Sequence, residues 1–519
     1  MAKRTWNRQT AQDRIETRLA EVKTVEIRQY GRDTDLTGLP NGVAYRVDGV
    51  HVYVDILNLD DMLGATNFEG VTVHRRTLRF LNLHFRAVRN ILVDVDAIEV
   101  DFHNQRLHAV FAKPYEDEAK RIHKAVATAQ LIIEVLAQTG EGGADPLPAA
   151  KVRVGIDSGE ALAVNSGRRG HREPLFLGCA ANLAAKRAGG GAKAGIFMTN
   201  NARTAAGMAE AANVDTVALT GEEIQKSQDK AKLGITVDSV VKSWKEDLEK
   251  FPIAAFEFSA HTPPFRDLDL ELLTPKNSRR QDAVSIYADI DGFTSYVADR
   301  IDDDESAKDV VRALHVLRAE LDAALYTDLA GVKVRFIGDC LHGLLVEGTA
   351  ANTDAEESAK NALLCAAAMR SGFQLAMEQL SDAEVDVGDM GIAIGCDFGT
   401  LAITRLGMKG EMVRCVVGRA VLRSEDEQRR CDGDQTAIGE ALARSAPAAF
   451  RELFGVSRRR SGFDYDAATT ALDRAETAKK AAAAASGGGL LRQATTAAAA
   501  GFSFPARPAA PSKTPAGFA

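Results

Sequence analysis

The chain states one pattern twice. "VYVDILNLDDM" at 52–62 and "IYADIDGFTSY" at 286–296 share a β-rich approach to an aspartate, Asp55 in one and Asp289 in the other, 234 positions apart. Asn104 and Asp339, each in a polar turn between β-rich runs, lie 235 apart. Asp157 and Asp397 lie 240 apart, as do Gly178 and Gly418. Landmarks that keep register across strands, a hairpin and a helix mark a tandem duplication. Whatever the first copy folds into, the second must fold into as well.

Each copy reads as a strand, a helix, two β-rich runs joined by a tight turn, a second helix and a last buried strand. The order β-α-β-β-α-β predicts an α+β chain of two tandem ferredoxin-like (palm) domains, each an antiparallel sheet covered by helices on one face. Residues 1–40 read as an extension with a short amphipathic helix near 8–22, and 41–262 as domain one, including a polar, partly helical insertion at 201–250. A Pro-bearing polar linker at 263–281 leads to domain two at 282–450. The Ala/Gly/Pro/Ser bias of 451–519 predicts a low-complexity, mobile tail.

A net charge of −8 argues against nucleic acid as the main partner, because no basic excess is available to neutralise a phosphate backbone. Six cysteines lie far apart without a C-x-x-C pair, so neither a zinc site nor a disulfide framework is expected. The charged start lacks the apolar core of a signal peptide, and no apolar run reaches the roughly 18 residues of a membrane span. These features predict a cytoplasmic protein.

The two copies differ where chemistry would sit. In the second, Asp289 ends an apolar strand and Asp339 occupies the hairpin tip of "FIGDCL". In a palm sheet those points are neighbours, and two adjacent carboxylates repel unless a cation lies between them. Mg²⁺ or Mn²⁺ suits such a site, with the Ile290 carbonyl as a further ligand. The turn at Asp291, Gly292, Phe293 and Thr294 would offer backbone N–H groups to a triphosphate. Alone, either aspartate reads as readily as a helix cap or turn residue. Together, in strand–turn–helix and hairpin contexts, they favour a metal site.

"ADIDGFT" and "FIGDC" resemble the paired metal signatures of class III nucleotide cyclases, while "VRVGIDSGEALAV" and "FLGCAANLAAKRAG" in the first copy resemble that family's "VGIHTG" strand and Asn-x-x-x-Arg helix. The resemblance covers roughly 45–200 and 283–430. It implies a site shared between two domains, with Asp289 and Asp339 holding two metal ions on one side. On the other side Asn182 orients the ribose and a cation steadies the α-phosphate. That cation is Lys186 where the family usually has Arg, and Arg187 stands beside it. The losses are complementary: Asn104 replaces the second carboxylate in the first copy, and Leu422 and Asp426 replace Asn182 and Lys186 in the second. This predicts an intramolecular pseudo-heterodimer with one competent site and one defunct site, functional as a single chain.

The family reads purine bases at positions that fall, by counting, on Val100 and Leu175, an apolar pair able to hydrogen-bond to neither purine edge. Tyr53, two before Asp55 on the same strand face, would fill the volume of a purine's second ring, or serve equally as a core tyrosine. The pattern, "GEALAVNSGRRGHREPLFLG" above all, is similar to the uridylate cyclases of bacterial Pycsar anti-phage systems. This implies UTP as substrate and cyclic UMP as a signal to a downstream effector. The rivals are a purine cyclase and a catalytically dead nucleotide-binding module. The selective survival of one complete site speaks against the latter.

Overall fold

The computed structural model describes residues 4–64, 68–139, 147–165, 174–408 and 412–487, with side chains as far as 480. Domain one runs α1 (Arg8–Glu21), β1 (Glu26–Gln29), β2 (Val43–Ile56), α2 (Val71–Asp94), β3 (Ile98–His103), β4 (Arg106–Phe111), α3 (Glu118–Leu136), β5 (Val152–Asn165), β6 (Pro174–Leu177), α4 (Cys179–Gly189) and β7 (Gly195–Met198). Its sheet order is β3-β4-β2-β5-β6, with β1 on β2 and β7 on β5. Domain two repeats the plan in β8 (Ser278–Asp291), α5 (Phe293–Ala298), α6 (Asp304–Ala323), β9 (Val332–Ile337), β10 (Cys340–Leu345), α7 (Ala355–Asp382), β11 (Gly391–Leu406), β12 (Val413–Val417), α8 (Arg419–Arg429) and β13 (Gln435–Ile438). There the order is β9-β10-β8-β11-β13, and β12 pairs with β11. The α+β tandem palm architecture is therefore present in both halves.

The largely apolar run of β8 from Ala283 to Ala288 follows from burial on both faces. Val284, Ile286, Ala288 and Ile290 enter the core beneath α6 and α7. On the alternate face Tyr287 packs with residues of α8, and the Ser285 and Ser424 hydroxyls meet at 2.8 Å. In domain one, Val50, Val52 and Val54 face α2 and α3, while Tyr53 packs on Ala184, Ala185 and Ala188 of α4.

Glycine lets the site helices settle this close. A Cβ at Gly155 of β5 would lie 2.0 Å from the Ala184 carbonyl oxygen, and one at Gly395 of β11 would lie 2.1 Å from the Gln428 nitrogen. These two glycines, 240 positions apart, set α4 and α8 on their sheets in the same way.

Three boundary expectations change. The extension is structural: Trp6, Ala11 and Ile15 enter the domain-two core, and Arg14 of α1 bonds Glu320 at 2.8 Å and Asp328 at 2.9 Å. The linker is packed, with Phe265, Leu268, Leu270 and Leu273 buried around 3₁₀ turns, and β8 begins within its last residues. The tail is ordered through 487. Strand β14 (Arg459–Ser461) pairs with β13, Phe463 and Tyr465 are buried, and helix α9 (Tyr465–Gly487) packs on α7. Composition understated this segment because a few aromatic anchors fix an otherwise Ala-rich helix. Residues 488–519 lie outside the described part.

Candidate active site

Asp289 leaves the end of β8, and Asp339 follows Gly338 in the β9–β10 turn. Gly338 has φ +59°, a left-handed value that tightens the hairpin. Asp339 is buried, and Asp289 accepts a 3.1 Å hydrogen bond from Gln428 Nε2 of α8. Burial raises both carboxyls above the usual range. The charge of Asp291 adds to this at Asp289, and the charge of Asp289 adds to it at Asp339. Two like-charged acids with their affinity for protons raised are a donor set that fits a hard divalent cation. Among the described residues no group of three His, Cys, Asp or Glu side chains forms a metal site. A divalent ion there would have Asp289 and Asp339 as its side-chain donors. Gly292 takes φ +83°, and Phe293 is fully buried in the core. Gly292 and Phe293 can therefore offer a ligand only backbone, whereas half-buried Thr294 also carries a hydroxyl.

Helix α4 of domain one lies against α5 of domain two. Asn182 is 2% exposed, and neither its Oδ1 nor its Nδ2 has a hydrogen-bond partner. A buried amide left unpaired costs about 1–3 kcal/mol, and its counterpart Leu422 carries no such burden. One turn on, Lys186 is exposed on the same face. Arg187 points elsewhere, paired at 2.7 Å with Asp215. The geometry separates the two cations that the sequence left together.

Tyr53 is buried and stacked on His108, with ring centroids 4.0 Å apart and planes 10° apart. The equivalent Tyr287 and His342 stack at 4.3 Å and 13°, each residue 234 positions from its partner in the other copy. The tyrosine–histidine stack is thus a core element common to both domains. The β3–β4 ladder carries a bulge at Val100, so Asp101 rather than Val100 stands opposite His108. Val100 lies in the core with Val47, Val110 and Phe176. Leu175 pairs with Val164 and packs toward domain two, on the strand face opposite Phe176. Counting back from Asn104 slipped by one residue.

That slip extends to the second cleft. His103 pairs with Arg106 as Ile337 pairs with Cys340, so the constant 234 aligns Asn104 with Gly338 and Gln105 with Asp339. Backbone conformation agrees: Asn104 has φ +48° where Gly338 has +59°. The lost carboxylate is therefore Gln105, and Asn104 holds the turn glycine's place, which asparagine tolerates best among residues with a side chain. Arg106 replaces Cys340 and crosses the domain boundary to Glu425 of α8 at 2.6 Å, with Asp55 at 3.9 Å and Arg429 meeting Glu425 at 2.5 Å. Burial alone would raise the Glu425 carboxyl, but Arg106 and Arg429 hold it below its ordinary value. A guanidinium thus sits beside Asp55, where the other copy has the neutral Cys340 in the equivalent position. Arg335, at the position equivalent to Asp101, bonds Asp101 at 2.9 Å across the same boundary. A repeat alignment anchored on Tyr53/Tyr287 and His108/His342 would have exposed Asp101, Gln105 and Arg106 from sequence.

No family model matches the chain. It is 53% identical over 473 residues to a uridylate cyclase of Pseudomonas aeruginosa, covering 90% of this chain and 91% of that one. It is 40% identical over 438 residues to a uridylate cyclase of a Rhizobium species, covering 80% and 82%. A crystal structure described as a class III adenylyl cyclase-like ATP-binding protein from Pseudomonas aeruginosa superposes with a TM-score of 0.88 at 53% identity, over 91% of this chain and all of that one. No described helix is long and apolar enough to cross a membrane. With tandem palm domains and relatives of this closeness over nearly its whole length, the chain belongs to the uridylate cyclase family and is a class III nucleotide cyclase.

Proposed function

We propose that the chain converts UTP to 3′,5′-cyclic UMP and pyrophosphate at one cleft, formed by Asp289 and Asp339 of domain two and Asn182 and Lys186 of domain one. Two Mg²⁺ or Mn²⁺ ions serve as cofactor, held by the two carboxylates and the Ile290 carbonyl. The observation that carries this reading is Asn182, a buried amide with a free donor and a free acceptor on the helix that faces domain two. Its two atoms hold the ribose. The 3′-oxygen attacks the α-phosphorus, the bond to pyrophosphate breaks, and the hydroxyl proton passes to solvent. Attack is intramolecular, so the chain's task is to hold a near-attack geometry. Lys186 neutralises charge growing on the α-phosphoryl oxygens. The ions, when bound, acidify the 3′-hydroxyl and offset phosphate charge.

Uridine is supported by the names of the two relatives and by a ligand-side face of Tyr53, His108 and Asp101 that lacks the family's purine-reading pair. Asp101, which Arg335 holds at 2.9 Å, offers a carboxylate acceptor for the N3–H of uracil, a donor that cytosine lacks. Through its family resemblance the product is a second messenger of bacterial anti-phage defence, made in the cytoplasm and read by a downstream effector. The test is to incubate the protein separately with UTP, CTP, ATP and GTP and Mn²⁺ and to chromatograph the products. Cyclic UMP is expected to dominate. Cyclic AMP as the main product would favour the ATP reading suggested by the description of the solved relative, and no cyclic product from any nucleotide would overturn the cyclase assignment.

A further inference from the structure

A cavity of about 290 Å³ lies where α1, the end of β5 and the α6–β9 layer meet, so both domains and the extension build its wall. Val164, Val311, Leu314 and Phe336 form an apolar side. Arg18, His315, Arg318 and Lys333 line it with Glu21 and Asp322. Both carboxylates are already engaged. Asp322 binds Lys333 at 2.5 Å, and Glu21 binds Arg18 at 2.5 Å and His315 at 2.9 Å. Lys333 and Arg18 are thereby paired too, so the excess of one positive charge at the cavity rests on Arg318. Arg318 is buried, lies over the Phe336 ring at 4.7 Å, and donates to the carbonyl of Gly338, the residue before Asp339. One cavity wall is thus one hydrogen bond from the backbone that carries a metal-side carboxylate. The roof is fixed, because Arg14 ties α1 to Glu320 of α6.

We propose that this cavity is a regulatory site for a small organic anion of the nucleoside-monophosphate class, with its ring against Phe336 and Val311 and its phosphate toward Arg18, Arg318 and Lys333. An anion there competes for the Arg318 guanidinium, loosens its hold on Gly338 and lowers turnover. It occupies neither the substrate cleft nor the surroundings of Asn182, so inhibition lowers kcat and is not competitive with UTP.

The experiment titrates the full chain calorimetrically with 5′-UMP, 5′-CMP, 5′-AMP and 5′-GMP, with no turnover required. The wild type, Arg18→Ala, Lys333→Met and Asn182→Ala are compared, and the ligand that binds is then added to a UTP turnover assay. Saturable binding at up to about 1 mM is expected for at least one of them, weakened on the order of tenfold by Arg18→Ala or Lys333→Met and unchanged by Asn182→Ala. Three results overturn the proposal: no saturable binding of any of the four, binding lost in Asn182→Ala but kept in both cavity variants, or purely competitive inhibition. Failure here leaves the cyclase reading standing, since that is tested by product formation alone.

Discussion

Asn182 is more costly to the fold than its counterpart Leu422 and more useful to the site. Asn182→Leu removes an unpaired buried amide, so urea unfolding is expected to show the variant more stable by about 1–3 kcal/mol while cyclic nucleotide formation is lost. A variant less stable than wild type would mean that the amide has a structural partner. The two adjacent cations should separate likewise. Lys186→Ala is expected to lower kcat by roughly 10²–10³-fold, the usual loss for a transition-state charge partner. Arg187→Ala should act mainly on stability through Asp215. The raised Asp289 and Asp339 carboxyls set a pH dependence. In the metal-free chain the unfolded state gives up these protons first as pH rises, so their contribution to stability falls above the ordinary carboxylate range. A cation favours the ionised pair, so the Tm increase on adding Mn²⁺ should grow from pH 4.5 to pH 7.5. A pH-independent increase would contradict the two-carboxylate site.

Among the elements, the site helices depend on glycine for their approach. Gly155→Ala drives a methyl into the Ala184 carbonyl, a backbone atom that cannot rotate away. Such overpacking costs about 1–3 kcal/mol or more, readable as a lower urea midpoint, and it displaces the helix that bears Asn182. Conversely, an unchanged midpoint would show that α4 lies farther from β5. The central strands, covering helices and metal hairpin were legible in sequence because burial on both faces leaves an apolar run and the repeat fixes the order. The turn register was not legible: with Asn104 set against Asp339 instead of Gly338, the counting fell one residue short, on Val100 and Asn104, and the bulge that both copies carry before this turn leaves no mark on the apolar pattern. Nor did composition reveal that Phe265, Phe463 and Tyr465 draw a linker and a tail into the core. Single aromatic anchors leave little trace in segment averages.

At the scale of the whole molecule, the proposed function divides labour between the two copies. Beside Gln105, which stands where the other copy has Asp339, the buried Arg106–Glu425 bridge joins the domains. Glu425→Leu alone takes the nearest carboxylate from buried Arg106 and should cost about 3–5 kcal/mol, whereas Arg106→Met with Glu425→Leu should recover much of that loss in the same urea titration. The central claim is that one chain holds one competent site, with its metal side in domain two. The most direct measurement is cyclic nucleotide formed per chain by Asp289→Asn and by Asp55→Asn under identical Mn²⁺ and UTP. The account predicts that Asp289→Asn abolishes product while Asp55→Asn keeps most of it. Equal loss in both, or loss only in Asp55→Asn, would contradict it.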